Sequence, residues 1–134
     1  MIAAGHFPFM KIIGVDVSSK LNDICQNNIN KMKNRLKCKT FENITSNASD
    51  YQIPDEATII YFFNPFGIEV MKDVFHSIFE SVSRKPRKVI IVWYNPKYEK
   101  RLEQSFRINK IKEMHWNNFG LFASRCFFYE VDIS

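Results

Sequence analysis

The stretch Lys11-Ile-Ile-Gly-Val-Asp-Val-Ser18 decides how this chain is read. An apolar run that ends in an acid, followed at once by a helix-capping serine, predicts a buried strand from Lys11 to Val17 leading into a helix. In open α/β sheets ligands sit at the carboxyl ends of the strands, and an acid there can hold a ribose through its two hydroxyls. Asp16 occupies that position. The competing reading is a helix-entry acid that complements the helix dipole. In nucleotide-binding folds such a strand is the second one, after a first strand and a Gly-rich turn; here only ten residues precede it.

Outward from this strand, strand and helix patterns alternate, which predicts a mostly parallel sheet covered by helices. Ile2 to Ala4 read as the last turn of a helix ending at Gly5. After the Ser18 or Ser19 cap, Leu21, Ile24, Cys25, Ile29, Met32 and Leu36 recur at helical spacing. Phe41 to Ser46 is a weak second strand, and Pro54-Asp-Glu56 a turn. Thr58-Ile-Ile-Tyr-Phe-Phe63 is continuously apolar and predicts a strand buried on both faces. Val70, Met71, Val74, Phe75, Ile78, Phe79 and Val82 form the stripe of an amphipathic helix. Lys88 to Tyr94 is another buried strand, and Tyr98 to Ser105 a short helix. Arg107 to Trp116 and Leu121 to Val131 form a closing pair around the turn residues Asn117-Asn-Phe-Gly120, antiparallel because the link is short.

The chain of 134 residues suits one domain, residues 1–134, with 46% hydrophobic and 25% charged residues. Its 13 Phe residues predict a large aromatic core or an apolar surface with a partner. A net charge of +5 and a pI near 9.2 favour anionic partners such as nucleic acid. The cations gather in two groups, Lys31 to Lys39 and Arg84 to Lys88. Both fall at predicted helix ends, where they complement the dipole; nucleic-acid contact is the alternative. Three isolated cysteines indicate a reducing compartment, and no apolar stretch reaches the ~20 residues of a membrane span, so a cytoplasmic protein without membrane contact is expected. The motifs Asn43-Ile-Thr45 and Asn47-Ala-Ser49 match the glycosylation pattern but follow no signal peptide. His6, His76 and His115 are too scattered for a metal site.

Two further segments can carry chemistry. Asn47-Ala-Ser-Asp50 follows the weak strand and therefore also lies at a carboxyl edge. An amide carbonyl there can accept from an adenine amino group, although Asn and Asp also form turns readily. Asn64-Pro-Phe-Gly67 follows the apolar strand and precedes the long helix. Pro65 lacks an N–H and sets the direction of exit. The Asn64 side chain and Pro65 carbonyl then remain as acceptors, with Phe66 offering a ring face. The alternatives are a plain strand-to-helix turn with a core Phe, or an Asn-Pro-Phe adaptor peptide, which needs an exposed loop.

Taken in order, these segments resemble the class I S-adenosylmethionine-dependent methyltransferases. Lys11 to Ser18 looks like the second strand of that family, with Asp16 at the ribose acid. Asn47-Ala48 looks like its adenine-contacting segment, usually Asp-Ala. Asn64-Pro-Phe66 looks like the motif after its fourth strand, Asn/Asp-Pro-Pro-aromatic in amino-methylating members. The resemblance implies a Rossmann-like α/β fold: a mostly parallel sheet with a C-terminal antiparallel hairpin and helices on both faces. It implies S-adenosyl-L-methionine as cofactor, held by Asp16, Val17, Asn47, Ala48 and Asn64. Methyl transfer is placed at Asn64, Pro65 and Phe66, with no metal and an unidentified acceptor. A non-catalytic basic module for nucleic acid or a protein partner is the alternative, and a nicotinamide-type dinucleotide domain fits less well. The family's first strand and Gly-rich loop have no counterpart here. That strand normally lies between the second and fourth, and parallel strands sit about 4.8 Å apart, so its absence implies a gap of about 10 Å and two open strand edges. The expectation is a partial domain in which Met1 is an internal methionine of a longer protein.

Overall fold

A computed structural model describes residues 1–63, 66–118 and 122–132. The chain forms two compact units, Met1–Tyr51 and Gln52–Ser134.

The first unit opens with α1 (Ile2–Gly5) and continues through β1 (Ile12–Asp16), α2 (Ser19–Met32) and β2 (Phe41–Thr45). The two strands are parallel, in register from Ile12 opposite Phe41 to Asp16 opposite Thr45. Ser18 caps α2 as expected, its hydroxyl accepting from Leu21 N–H. A 3₁₀ turn, Lys33–Arg35, then leads into a segment anchored by the buried Leu36 and Cys38. Gly5 lets α1 approach β2 closely: a Cβ there would stand 2.9 Å from the Phe41 ring. The inward face of α2 differs from the expected stripe. Asn22 and Ile29 are buried, whereas Leu21 and Ile24 are exposed. The apolar residues do form one stripe, but burial falls at its Ile29 edge, next to which Asn22 finds a hydroxyl partner in Thr45, while the Leu21 and Ile24 edge meets solvent.

The second unit contains β3 (Ile59–Phe63), α3 (Ile68–Arg84), β4 (Ile90–Tyr94), α4 (Glu99–Ser105), β5 (Ile108–Asn118) and β6 (Phe122–Val131). The strand order is β3-β4-β6-β5. β3 and β4 are parallel, while β6 runs antiparallel to both β4 and β5, so the closing hairpin is as expected. A bulge between Lys110 and Lys112 shifts the β5 register. The expected Asn117 to Gly120 link lies partly outside the described residues; Asn117 and Asn118 still pair with Ala123 and Phe122.

The core of this unit is aromatic. Phe75 of α3, fully buried, has ring centroids 6.0 Å from Phe62, 6.1 Å from Trp93 and 5.1 Å from Phe106. Trp93 lies opposite Phe127, and Tyr129 follows two residues on, so all share the face that α3 covers. α4 reaches the same face: Tyr129 donates its hydroxyl to Glu103 at 2.8 Å. Burial, reinforced by that carboxylate, pushes the Tyr129 phenol far above its ordinary range. The indole N–H of Trp93 is buried without a hydrogen-bond partner among the described residues.

With both helices on one face, β3 does not have the doubly buried setting expected of it. Phe62 is 5% exposed, but Ile59, Tyr61 and Phe63 on the opposite face are 47%, 61% and 61% exposed. Phe63, Tyr94 and Trp116 continue this face as a row of rings 5.3 and 6.2 Å apart. Among the described residues β1 pairs only with β2 and β3 only with β4. Each therefore keeps one edge without a strand partner among the described residues.

The loop before β3 is fastened by arginines. Arg84 binds Asp55 at 2.9 Å, and this guanidinium holds the Asp55 carboxyl below its ordinary value of 3.8. A depressed folded-state value means stability that is present above that ordinary value and lost as pH falls through the folded one. The melting temperature of the wild type is expected to fall more steeply below about pH 4 than that of Asp55→Asn, which lacks the titrating group. Parallel acid melts would expose an error here.

Candidate functional site

The first unit builds a site at the carboxyl ends of β1 and β2. Asp16 closes β1, where the chain must turn into α2. Its carboxylate accepts from Ser18 N–H at 2.8 Å, so the helix-entry role is realised. That contact uses one oxygen, Oδ1. The other makes no hydrogen bond among the described residues, so a second acceptor stays available on a half-buried, oriented carboxylate. Val17, next in the chain, is 70% exposed.

Asn47 lies two residues beyond β2 and begins a short 3₁₀ turn, Ala48–Asp50. Its side-chain carbonyl accepts from Ser49 N–H at 3.4 Å, so the Asx-turn reading is also realised. Asn47 is exposed and Ala48 half-buried. An amide oxygen carries two lone pairs, so this long bond leaves it able to accept again.

Structure brings Asp16 and the Asn47 segment together. Ser46 N–H donates to the Asp16 carbonyl at 3.1 Å, extending the ladder beyond β2. Asn22, which was not singled out in the sequence, is the pin between them. Its amide donates to the Asp16 carbonyl at 3.4 Å and to the Thr45 hydroxyl at 2.9 Å. A polar residue in a helix reads as surface, and only its place one turn after the Ser18 cap hints otherwise. Asp16 and the Asn47 segment thus lie at the same carboxyl edge, each with a side-chain acceptor.

The remaining expected residues belong to the other unit. Asn64 and Pro65 lie outside the described residues. Phe66 is half-buried and precedes Gly67, the N-cap of α3, which offers no side-chain cap. Among the described residues no cluster of His, Cys, Asp or Glu could hold a metal. The three cysteines are free, and burial raises the Cys126 thiol. No helix among the described residues is long and apolar enough to cross a membrane.

No protein-family model and no curated protein matches the sequence. Solved structures do. The chain is similar to a structure titled StiE O-MT residues 942-1257, with a TM-score of 0.58 and 10% identity over 92% of this chain. An rRNA methylase from Streptococcus thermophilus gives a TM-score of 0.58 and 12% identity over 90% of this chain. A putative methyltransferase, SMU.472, crystallised with SAH, gives 0.48 and 16% over 90% of this chain. The chain spans 60%, 73% and 31% of the lengths of these proteins, respectively. At these identities the first two matches speak to architecture alone: a Rossmann-like α/β fold of the kind these methyltransferases have.

Proposed function

We propose that this chain carries the nucleoside-binding part of an S-adenosylmethionine-dependent methyltransferase, acting on an acceptor still to be identified. The observation that carries the reading is the juxtaposition of Asp16 and Asn47 at one carboxyl edge. The residues present fit half of the cofactor. Asp16 would accept from the ribose hydroxyls through its unengaged oxygen, Asn47 would accept from the adenine amino group, and Val17 and Ala48 would flank the base. When bound, the cofactor supplies a methyl group on a sulfonium, ready for displacement. Such a transfer depends chiefly on in-line positioning and needs little proton movement from the protein. In the proposal Asn64, Pro65 and Phe66 position the acceptor. The methionine half of the cofactor has no Gly-rich loop among the described residues.

Asp16→Ala is expected to weaken S-adenosylhomocysteine binding about 10- to 100-fold, because charge-assisted hydrogen bonds are lost. Titration calorimetry on both proteins tests this, and equal affinities would remove the ribose assignment.

A further inference from the structure

The two basic groups of the sequence have different fates in the structure. In the second, every cation has a partner among the described residues. Arg84 pairs with Asp55, Lys85 with Glu56 and Lys88 with Glu130, while Arg87 binds backbone carbonyls. In the first, Lys31, Lys33, Arg35, Lys37 and Lys39 are all exposed. No side chain of the five forms an ion pair among the described residues, and only that of Lys39 makes a hydrogen bond there, to the Leu36 carbonyl. The helix dipole explains Lys31, which lies in the last turn of α2. Its influence fades within that turn, so Lys37 and Lys39 fall outside it.

The cations are displayed on a fixed support. Leu36 and Cys38, between them in sequence, are 2% and 1% exposed. The N–H groups of Lys37 and Cys38 both donate to the Gly5 carbonyl, at 2.8 and 3.1 Å, and Ile12 N–H donates to the Thr40 carbonyl at 3.0 Å. These bonds tie both ends of the segment from His6 to Lys11 to the cationic segment. Phe7 and Phe9 stand on that tied segment, 62% and 38% exposed, with ring centroids 6.5 Å apart. Cations beside exposed aromatic faces, at the amino ends of β1 and β2, lie at the edge opposite Asp16.

We propose that this edge of the first unit is a docking surface for single-stranded nucleic acid. The cations would track the phosphates, and Phe7 and Phe9 would stack on unpaired bases without reading sequence. Single strands are favoured over duplexes because stacked base pairs hide the faces that Phe7 and Phe9 would meet. The surface is separate from the proposed cofactor site, and its test uses no cofactor, so either proposal can fail alone.

Fluorescence anisotropy with a labelled oligouridylate of about 12 nucleotides, across roughly 50 to 200 mM salt, tests it directly. The wild-type chain is expected to bind, with affinity falling steeply as salt rises. The combined variant Lys33→Gln, Arg35→Gln, Lys37→Gln should bind roughly tenfold or more weakly and lower the log–log salt slope by roughly 2, about 0.7 per phosphate contact. Phe7→Ala with Phe9→Ala should weaken binding by roughly tenfold and leave the salt slope unchanged. All five positions are exposed or half-exposed, and circular dichroism melts confirm that the variants fold; the wild-type salt series stands without them. Wild-type affinity in the charge variant would overturn the proposal. So would equal binding to a duplex of the same length, or sedimentation with phosphatidylserine vesicles by a chain that does not bind the oligonucleotide.

Discussion

Phe75→Ala is expected to destabilise the second unit by about 3–5 kcal/mol, the usual cost of deleting a buried aromatic ring. Phe75 is fully buried on α3 and touches three rings, Phe62 on β3, Trp93 on β4 and Phe106 beyond α4. One deletion therefore loosens every element that packs on that face. The lost area alone does not account for the figure; the neighbours are fixed by sheet register and cannot close the cavity fully. Phe75→Leu retains much of the volume and should cost less than half as much. Urea unfolding followed by tryptophan fluorescence reads both variants, since Trp93 forms part of the same cluster. Near-equal losses for Ala and Leu would show that this ring is not the keystone.

Arg87→Ala is expected to cost about 2–4 kcal/mol by the same measurement. Its guanidinium donates to the Ala57 carbonyl at 2.7 Å, to the Ser81 and Lys85 carbonyls at 3.1 and 3.0 Å, to the Pro54 carbonyl at 3.0 Å and to the Ser81 hydroxyl at 2.8 Å. Five bonds from one planar group join the end of α3 to the loop that enters β3. Removing it leaves several carbonyls short of a donor, and hydrogen bonds to charged groups are the stronger kind. Arg87→Lys should recover little, because an ammonium on a flexible stem cannot match the fork. Full rescue by lysine would mean that charge, not geometry, holds the loop.

The residues that announce themselves in the sequence are those whose role is local. Ser18 caps α2 and Asp16 closes β1 because both depend on neighbours within a few positions. The apolar period of α3 was legible for the same reason: one face of an amphipathic helix carries its own record. β3 was not. Its unbroken apolar letters record that some side chains meet a core, but not whether a second layer lies on the other face, and here Tyr61 and Phe63 meet solvent. Asn22 was missed, and Arg87 was read only as one of a helix-end group, because their partners are distant in sequence, Thr45 in one case and Pro54 and Ala57 in the other. The two basic groups show the limit most clearly. Similar letters at similar places became a latch in Arg87 and, among the described residues, a row without ion pairs at Lys31 to Lys37.

The pairing of Asp16 with Asn47 as a nucleoside site is the central claim, and amide chemical-shift mapping tests it most directly. When the labelled chain is titrated with S-adenosylhomocysteine, shifts are predicted to concentrate at Asp16, Val17 and Ser18 and at Asn47, Ala48 and Ser49. They should be lost in Asp16→Ala. Shifts confined to other segments, or unchanged titration of the Asp16→Ala chain, would contradict it.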